Sequence, residues 1–171
     1  MIPDCEIKMD LVFVIDNSGS INQEIVTNYD LLKTFITLLI DRLDVGADKI
    51  RIGAVKFSYH VDIVFHMDRY TSGADMQAAI MAMEYEGEST NTAGALRVTR
   101  EQLFVEARGD RRDVRNVAIV ITDGNSNIDW QNTIHEANLT KQANIALYVV
   151  GALGNIVDVR EMKVREIIIL Q

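Results

Sequence analysis

Three short polar segments of the sequence contain side chains that are suited to binding a metal ion. The segments are Asp16-Asn17-Ser18-Gly19-Ser20, Glu88-Ser89-Thr90-Asn91-Thr92 and Thr122-Asp123-Gly124-Asn125-Ser126. Their carboxylate and hydroxyl oxygens are hard ligands, which suit Mg²⁺, Mn²⁺ or Ca²⁺ better than zinc or copper. The residue types therefore predict one bound divalent cation, with Mg²⁺ as the first choice and Mn²⁺ or Ca²⁺ as the alternatives.

Apolar blocks in the sequence place two of these segments directly after strands. The blocks at 11–15, 117–121 and 145–150 are continuous and rich in β-branched residues, which is typical of strands buried on both faces. The blocks at 50–57 and 61–65 are separated by only three residues, which is too few for a crossover helix. They are therefore predicted to form an antiparallel hairpin.

Helical patterns occupy the longer gaps between the strands. Helices are predicted at 21–43, 74–83, 93–104, 129–142 and 158–166, and the tail at 167–170 fits either a helix end or a strand. The alternation predicts an α/β fold: a Rossmann-like open, mostly parallel twisted sheet with one antiparallel edge strand and helices on both faces. Such sheets bind ligands at the carboxyl ends of their strands, where the three polar segments are expected to meet.

Length and charge limit the classes of function. A chain of 171 residues with one Pro and 10 Gly fits a single domain over 1–171, with an N-terminal extension at 1–8 and a C-terminal helix and tail at 158–171. No apolar run approaches the roughly 20 residues that a membrane helix needs. The net charge of −8 disfavours nucleic acid and anionic membranes as partners, and it favours basic proteins or cations.

The order of the three polar segments resembles that of a known family. Asp-x-Ser-x-Ser follows the first strand, Thr-x-Thr-Ala-Gly-Ala-Leu begins at Thr90 before a helix, and Thr-Asp-Gly begins at Thr122 after a later strand. This set is similar to the metal-ion-dependent adhesion site of von Willebrand factor type A domains. The resemblance extends from Cys5 to Glu161.

The resemblance assigns a role to each candidate ligand. It implies that Ser18, Ser20 and Thr90 contact the metal directly, with Thr92 as the second choice for the threonine. It also implies that Asp16 and Asp123 act largely through waters and hydrogen bonds. The polar residues expected to form the rim around the metal are Asn17, Asn91, Asn125 and Ser126.

The resemblance also implies an extracellular adhesion or matrix-protein-binding module. Because serine and threonine hydroxyls are neutral, a cation held mainly by them keeps much of its positive charge. It would then bind a Glu or Asp carboxylate of an extracellular protein partner, such as collagen or another matrix protein. The alternative is a structural or assembly module of an extracellular or mineralised matrix that has no metal-dependent ligand.

An enzymatic function is not expected. The run Phe13-Val14-Ile15-Asp16 resembles the nucleophilic aspartate of haloacid-dehalogenase-like phosphatases, but these enzymes need a second Asp two residues later. Here that position is Ser18. The sequence contains no Gly-x-Ser-x-Gly elbow, Walker loop or Gly-x-Gly-x-x-Gly motif, and the three polar segments contain no histidine to act as a base.

Three further features of the sequence bear on location and recognition. Cys5 is the only cysteine, and we expect it to be unpaired within this sequence and to pair with a cysteine beyond Gln171 in a secreted parent protein. Asn138-Leu139-Thr140 is a glycosylation sequon, which predicts a glycan on Asn138. The triplet Arg108-Gly109-Asp110 is interpreted as part of a solvated charged loop rather than as an integrin-binding motif.

Overall fold

The computed structural model describes residues 7–22, 28–123, 126–151 and 167–169. One six-stranded sheet forms its centre, with the strand order β3-β2-β1-β4-β5-β6. The strands are β1 Met9–Asp16, β2 Ile50–Phe57, β3 Val61–Phe65, β4 Arg115–Thr122, β5 Ile145–Gly151 and β6 Ile167–Ile169. Neighbours among β1, β2, β4 and β5 run parallel, whereas β3 and β6 run antiparallel to their neighbours.

The predicted fold class is confirmed, and the structure adds one detail at the second edge of the sheet. The hairpin strand β3 is the antiparallel edge strand that the sequence predicts. The tail segment, which fits either a helix or a strand by sequence, forms β6 and pairs antiparallel with β5. Both edges of the sheet are therefore antiparallel, and its parallel centre carries the carboxyl ends of β1 and β4.

The helices lie near their predicted positions but differ in their ends. They are α1 Asn28–Asp41, α2 Gly73–Met81, α3 Thr92–Val98 and α4 Trp130–Gln142. A 3-10 turn over Gly19–Asn22 precedes α1, and α3 continues as a π-helical turn over Thr99–Leu103. Residues 23–27, which fall in the predicted helix at 21–43, and the predicted helix at 158–166 lie outside the described residues. In the described part of the chain, no helix is both long enough and apolar enough to cross a membrane.

The central strand β1 is buried on both faces because its alternate side chains enter two separate hydrophobic clusters. Leu11, Phe13 and Ile15 pack on the side of α1 and α2, together with Ile36. The intervening valines at 12 and 14 pack on the opposite side, together with Leu96 of α3. Burial on both faces explains why this strand is a continuous apolar run in the sequence.

At the amino end of β1, a buried ion pair joins this strand to the segment before β4. The Asp10 carboxylate is fully buried and accepts hydrogen bonds from Arg111 Nη2 at 2.6 Å, Arg111 Nε at 2.9 Å and the Arg111 backbone N–H at 2.7 Å. Arg111 Nη2 also donates to the Lys49 carbonyl at 2.8 Å. The arginine therefore joins the segment before β4 to β1 and to the start of β2.

The interpretation of the Arg108-Gly109-Asp110 triplet as part of a solvated charged loop holds for the exposed Arg108, Arg112 and Asp113, but not for the centre of the triplet. Gly109 is buried with a φ of 99°, and a Cβ there would lie 2.7 Å from the Asp68 backbone nitrogen. Burial raises the pKa of the half-buried Asp110 carboxyl. The Arg108-Gly109-Asp110 triplet is thus part of a packed turn, and its central residue is not available to a partner.

A second buried carboxylate holds α3 against α4. Glu136 accepts hydrogen bonds from Arg97 Nε at 2.9 Å and from Arg100 Nη1 at 2.7 Å. Burial raises the pKa of the Glu136 carboxyl, but the hydrogen bonds and charges of Arg100 and Arg97 outweigh this effect, so the pKa lies below its usual value. The ionised form of Glu136 therefore stabilises the folded state.

We predict that Glu136→Gln lowers the free energy of unfolding by about 2 kcal/mol at neutral pH. Because the folded-state pKa is depressed, this difference is fully present above the unfolded-state pKa, near 4.5. It shrinks as the pH falls from there through the lower folded-state pKa. Urea denaturation in EDTA at a series of pH values measures the difference.

The matched control is Glu101→Gln, which removes the exposed partner of the same Arg100. Exposed ion pairs contribute about 0–1 kcal/mol, so this variant should remain close to the parent protein. An effect of Glu136→Gln that stays constant down to the lowest pH at which the protein folds would contradict the assignment.

Candidate metal centre

The candidate site begins where β1 and β4 end side by side. Their parallel register pairs Ile15 with Ile121, so Asp16 and Thr122 follow at the same edge. Thr122 Oγ1 donates to Asp16 Oδ2 at 2.5 Å, and the Ser18 backbone N–H donates to Asp16 Oδ1 at 2.9 Å. Asp16 is fully buried as the last residue of β1, so its carboxylate has a fixed orientation.

A chain of hydrogen bonds links the predicted ligands of the first and third segments. Ser18 Oγ lies 3.1 Å from Ser20 Oγ, and Ser20 Oγ donates to Asp123 Oδ1 at 2.8 Å. With the Ser18 backbone bond to Asp16, four of the five predicted ligands form one connected set. The set runs from the buried Asp16 and Ser18 to the exposed Ser20.

Thr90 is held beside this set through its backbone. Its N–H donates to Asn127 Oδ1 at 2.8 Å, and its carbonyl accepts from Asn127 N at 3.1 Å and from Ser126 Oγ at 3.1 Å. Two residues earlier, the Glu88 carbonyl accepts from the Gly19 N–H at 2.8 Å. Among the described residues, no side-chain hydrogen bond joins Thr90 to the other four ligands. Thr92, the second choice for the threonine, is the first residue of α3.

Asn17 is not on the rim, which corrects the expectation from the sequence. Its side chain is 0% exposed. Its Nδ2 donates to the Glu84 carbonyl at 3.1 Å, and its Oδ1 accepts from the Glu86 N–H at 3.2 Å. The Asn17 side chain points inward because its backbone continues the pairing of β1 with β2: the Asn17 N–H donates to the Phe57 carbonyl at 2.7 Å. Asn17 therefore anchors the segment before Thr90.

The same segment approaches the first loop too closely for a side chain at position 19. A Cβ on Gly19 would lie 2.8 Å from the Gly87 carbonyl oxygen. On the outer side, the Tyr85 hydroxyl donates to the Ser18 carbonyl at 3.1 Å and to the Gly19 carbonyl at 3.2 Å. These contacts hold the first and second polar segments together before any ligand binds.

Two other rim candidates also form hydrogen bonds that hold the loops of the site in place. Asn91 Oδ1 accepts from the Gly94 N–H at 2.9 Å and caps α3, while Asn91 Nδ2 donates to the Tyr59 carbonyl at 3.3 Å. Ser126 is half-buried and donates to the Thr90 carbonyl. Asn125 lies outside the described residues.

An open groove beside Thr90 forms a surface that the sequence did not indicate. It has a volume of about 530 Å³ and is lined by Tyr59, His60, Glu88, Ser89 and Asn127. Tyr59 is 55% exposed, and its ring meets that of His60 at a centroid distance of 4.9 Å. These two aromatic residues lie in the turn between β2 and β3, where no motif distinguishes them.

The charges at the site suit a cation. Burial raises the pKa of the Asp16 carboxyl, and the hydrogen bonds from Ser18 and Thr122 oppose this effect. Burial also raises the pKa of the Asp123 carboxyl, and the nearby Asp16 charge adds to it. No described lysine or arginine forms an ion pair with either aspartate. A bound cation would stabilise both carboxylates in their charged form.

The donor set also limits the kind of metal. The described residues contain no cluster of three or more His, Cys, Asp or Glu side chains that could hold a metal ion. The site instead combines two carboxylates with hydroxyl groups, which are ligands of hard cations. The residues present therefore fit one divalent cation such as Mg²⁺.

The remaining predicted features lie away from this site. Cys5 is outside the described residues. Asn138 is exposed on α4, while the Thr140 hydroxyl of its sequon is buried and donates to the Glu136 carbonyl at 2.8 Å. Glycosylation of Asn138 stays a prediction.

Comparisons with known proteins identify relatives among extracellular matrix proteins. The chain is 34% identical to the collagen alpha-6(VI) chain of Homo sapiens over 94% of its length, and 36% identical to Matrilin-4 of Homo sapiens over 93%. It spans only 7% of that collagen chain and 24% of that matrilin. The expected secreted, matrix location is confirmed by these relatives.

Solved structures share the fold. Proximal thread matrix protein 1 from the mussel byssus, in a structure described as having a zinc-occupied MIDAS motif, matches with a TM-score of 0.80 at 27% identity. The match covers 86% of this chain and 38% of that one. The manganese-loaded TRAP protein of Plasmodium vivax has a TM-score of 0.73 at 21% identity over 86% of this chain and 58% of that one, which supports the fold alone.

The sequence profile of the von Willebrand factor type A domain matches residues 10–167. That range contains the connected set of candidate oxygen ligands and the sheet that positions it, except for the first residue of β1 and the last two residues of β6. The resemblance inferred from the three polar segments is confirmed, and the chain belongs to the von Willebrand factor type A domain family.

Proposed function

We propose that this domain is a non-enzymatic, extracellular protein-binding module that holds one divalent cation, with Mg²⁺ the first candidate, at the carboxyl edge of its sheet. Its partner is an extracellular protein that presents a Glu or Asp carboxylate to this cation. The observation that carries the proposal is the connected set of Asp16, Ser18, Ser20 and Asp123. Hydrogen bonds assemble these side chains from two loops that are separated by about 100 residues.

The roles of the ligands follow from their chemistry and burial. Ser18, Ser20 and Thr90 offer neutral hydroxyls for direct contact with the cation. Asp16 is fixed by hydrogen bonds from Thr122 and Ser18, so it acts by orienting the set and by its negative charge. When bound, the cation supplies a positive charge that attracts an anionic oxygen of the partner.

The surroundings of the site favour binding over hydrolysis. The Ser18 hydroxyl, which occupies the position of an acid in phosphatases of similar sequence, is hydrogen-bonded to Ser20. His60, in the neighbouring groove, packs its ring against Tyr59. No described contact joins a histidine to a site hydroxyl, so the described residues offer no histidine as a general base for a nucleophile here.

The relatives support the same function class. A zinc-occupied MIDAS motif is described for the mussel byssus protein, whose fold this chain shares. The curated relatives are a collagen VI chain and a matrilin, which are matrix proteins. A structural or assembly role without a metal-dependent ligand remains the alternative outcome of the binding experiment below.

We predict that Ser20→Ala and Asp123→Ala each weaken Mg²⁺ binding by at least about tenfold, because each removes one member of the connected oxygen set. Ser20 is exposed, so its replacement should leave the thermal unfolding midpoint in EDTA unchanged. Isothermal titration calorimetry with Mg²⁺ measures the affinities.

Ser89→Ala is the matched control, because it removes a hydroxyl next to Thr90 that is not in the predicted ligand set. Its Mg²⁺ affinity should equal that of the parent protein. The same affinity in Ser20→Ala, Asp123→Ala and the parent protein would refute the cation site.

We predict that a partner captured from extracellular matrix extract is released by EDTA and rebinds when Mg²⁺ or Mn²⁺ is restored. Thr90→Ala should abolish the capture in Mg²⁺. The described hydrogen bonds of Thr90 all use its backbone, so this variant should keep the loop in place. Replacing the critical Glu or Asp of the identified partner by Gln or Asn should have the same effect as EDTA.

A tenfold change in dissociation constant corresponds to about 1.4 kcal/mol, so partial effects are measurable by surface plasmon resonance. A partner that binds equally well in EDTA and to the Thr90→Ala protein would show that the interface lies elsewhere. The structural or assembly role would then replace the proposed function.

A further inference from the structure

The segment from the end of β4 to the start of α4 contacts ligands that belong to both other loops. At its beginning, Thr122 Oγ1 donates to Asp16 Oδ2 at 2.5 Å. Further along, Asn127 Oδ1 accepts from the Thr90 N–H at 2.8 Å, and the Asn127 N–H donates to the Thr90 carbonyl at 3.1 Å. One stretch of chain therefore fixes a carboxylate from the first loop and a threonine from the second.

These contacts are of the kind that set ligand geometry at metal sites. Groups that hydrogen-bond to a metal ligand orient it, and their removal typically weakens metal affinity by about 10- to 100-fold. Thr122 fixes the rotation of the Asp16 carboxylate, because its bond to Oδ2 complements that of the Ser18 N–H to Oδ1. Asn127 fixes the position of the Thr90 backbone, from which the Thr90 hydroxyl projects.

We propose that Thr122 and Asn127 are positioning residues of the cation site, acting on Asp16 and Thr90 respectively without contacting the cation. This inference rests on the proposed function, since it assumes that a divalent cation binds there. Thr122 belongs to the Thr-Asp-Gly segment, but it is not one of the metal ligands that the family resemblance implies. Asn127 lies just beyond that segment and is exposed.

The selectivity between Mg²⁺ and Ca²⁺ distinguishes positioning from a general structural role. Mg²⁺ demands near-ideal octahedral geometry, whereas Ca²⁺ tolerates variable coordination. A displaced ligand should therefore weaken Mg²⁺ binding more than Ca²⁺ binding. A variant that merely unfolds more easily would lose affinity for both cations by the same factor.

The test compares Thr122→Val, which replaces the hydroxyl by a methyl group of similar size, with Thr122→Ser, which keeps the hydroxyl. Calorimetric titration with Mg²⁺ alone and with Ca²⁺ alone gives the affinities, and thermal unfolding in EDTA gives the stability of each variant. Thr122→Val should bind Mg²⁺ about 10- to 100-fold more weakly, with a smaller loss for Ca²⁺. Thr122→Ser should restore Mg²⁺ affinity to within about threefold of the parent protein.

Asn127→Ala provides an independent arm, because Asn127 is exposed and its replacement should not affect folding. It should also lower the Mg²⁺ affinity and the ratio of Mg²⁺ to Ca²⁺ affinity. His60→Ala is its control, since His60 lines the same groove and has no described contact with a candidate ligand. If Thr122→Val does not fold, the comparison of Asn127→Ala with His60→Ala decides.

The outcomes separate this inference from the proposed function. If the parent protein binds Mg²⁺ and the Thr122→Val and Asn127→Ala proteins bind it equally well, the positioning roles are refuted and the cation site stands. Equal losses for Mg²⁺ and Ca²⁺ also refute them, because they indicate a structural effect. If the parent protein binds neither cation, both the proposed function and this inference are overturned.

Discussion

The central strand β1 ends in buried carboxylates at both ends, and each must be stabilised there. A buried carboxylate is unfavourable unless hydrogen bonds and an opposite charge surround it. At the amino end, Asp10 has both in Arg111, which supplies the positive charge and three hydrogen bonds. At the carboxyl end, Asp16 has hydrogen bonds from Thr122 and Ser18, and no described cationic side chain pairs with it. The two ends thus differ in that Arg111 supplies both the hydrogen bonds and the positive charge at Asp10, whereas neutral groups supply the described hydrogen bonds at Asp16.

This difference explains the arrangement of the loops around Asp16. The hydroxyls of Ser18 and Ser20 and the carboxylate of Asp123 extend from the buried end of the strand towards solvent. Asn17 and Tyr85 hold the segment before Thr90 against the first loop. Among the described residues, the hydrogen bonds that fix these loops to one another use no cationic side chain, so the proposed metal ion would supply the counterion.

Much of this organisation can be predicted from the sequence, for physical reasons. The inner strands of a parallel sheet are apolar along most of their length, so β1, β4 and β5 are recognisable from continuous apolar blocks. Parallel neighbours bring their carboxyl ends to one edge, which predicts that Asp16 and Asp123 meet. The order of the three polar segments predicts oxygen donors as the candidate ligands, because two of these segments directly follow strand ends.

Other features depend on contacts between distant parts of the chain, which local patterns do not encode. Asn17 looks like a rim residue by sequence, but the end of β1 directs it inward to a segment nearly 70 residues away. Arg111 lies in a run of charged residues that is typical of a solvated loop, and its partner Asp10 is 101 residues away. Asn91 and Ser126 are polar loop residues whose hydrogen bonds serve a helix cap and the Thr90 backbone. In each case the sequence gives the residue type, but it does not predict the direction in which the side chain points.

The charge of the site edge makes metal binding a condition for the proposed recognition of a carboxylate. Asp16 and Asp123 lie at this edge, and the exposed Glu84 and Glu88 lie in the adjoining segment. Without a cation, a carboxylate that approaches this edge meets like charges, and like-charge contacts at an interface are unfavourable by several kcal/mol. A divalent cation would offset the charges of Asp16 and Asp123, provide a local positive charge at the centre of the edge and leave the acidic residues around it. The same surface would then attract a carboxylate at its centre and basic side chains at its margin, so a partner segment that carries both kinds of charge matches it better than an acidic segment alone.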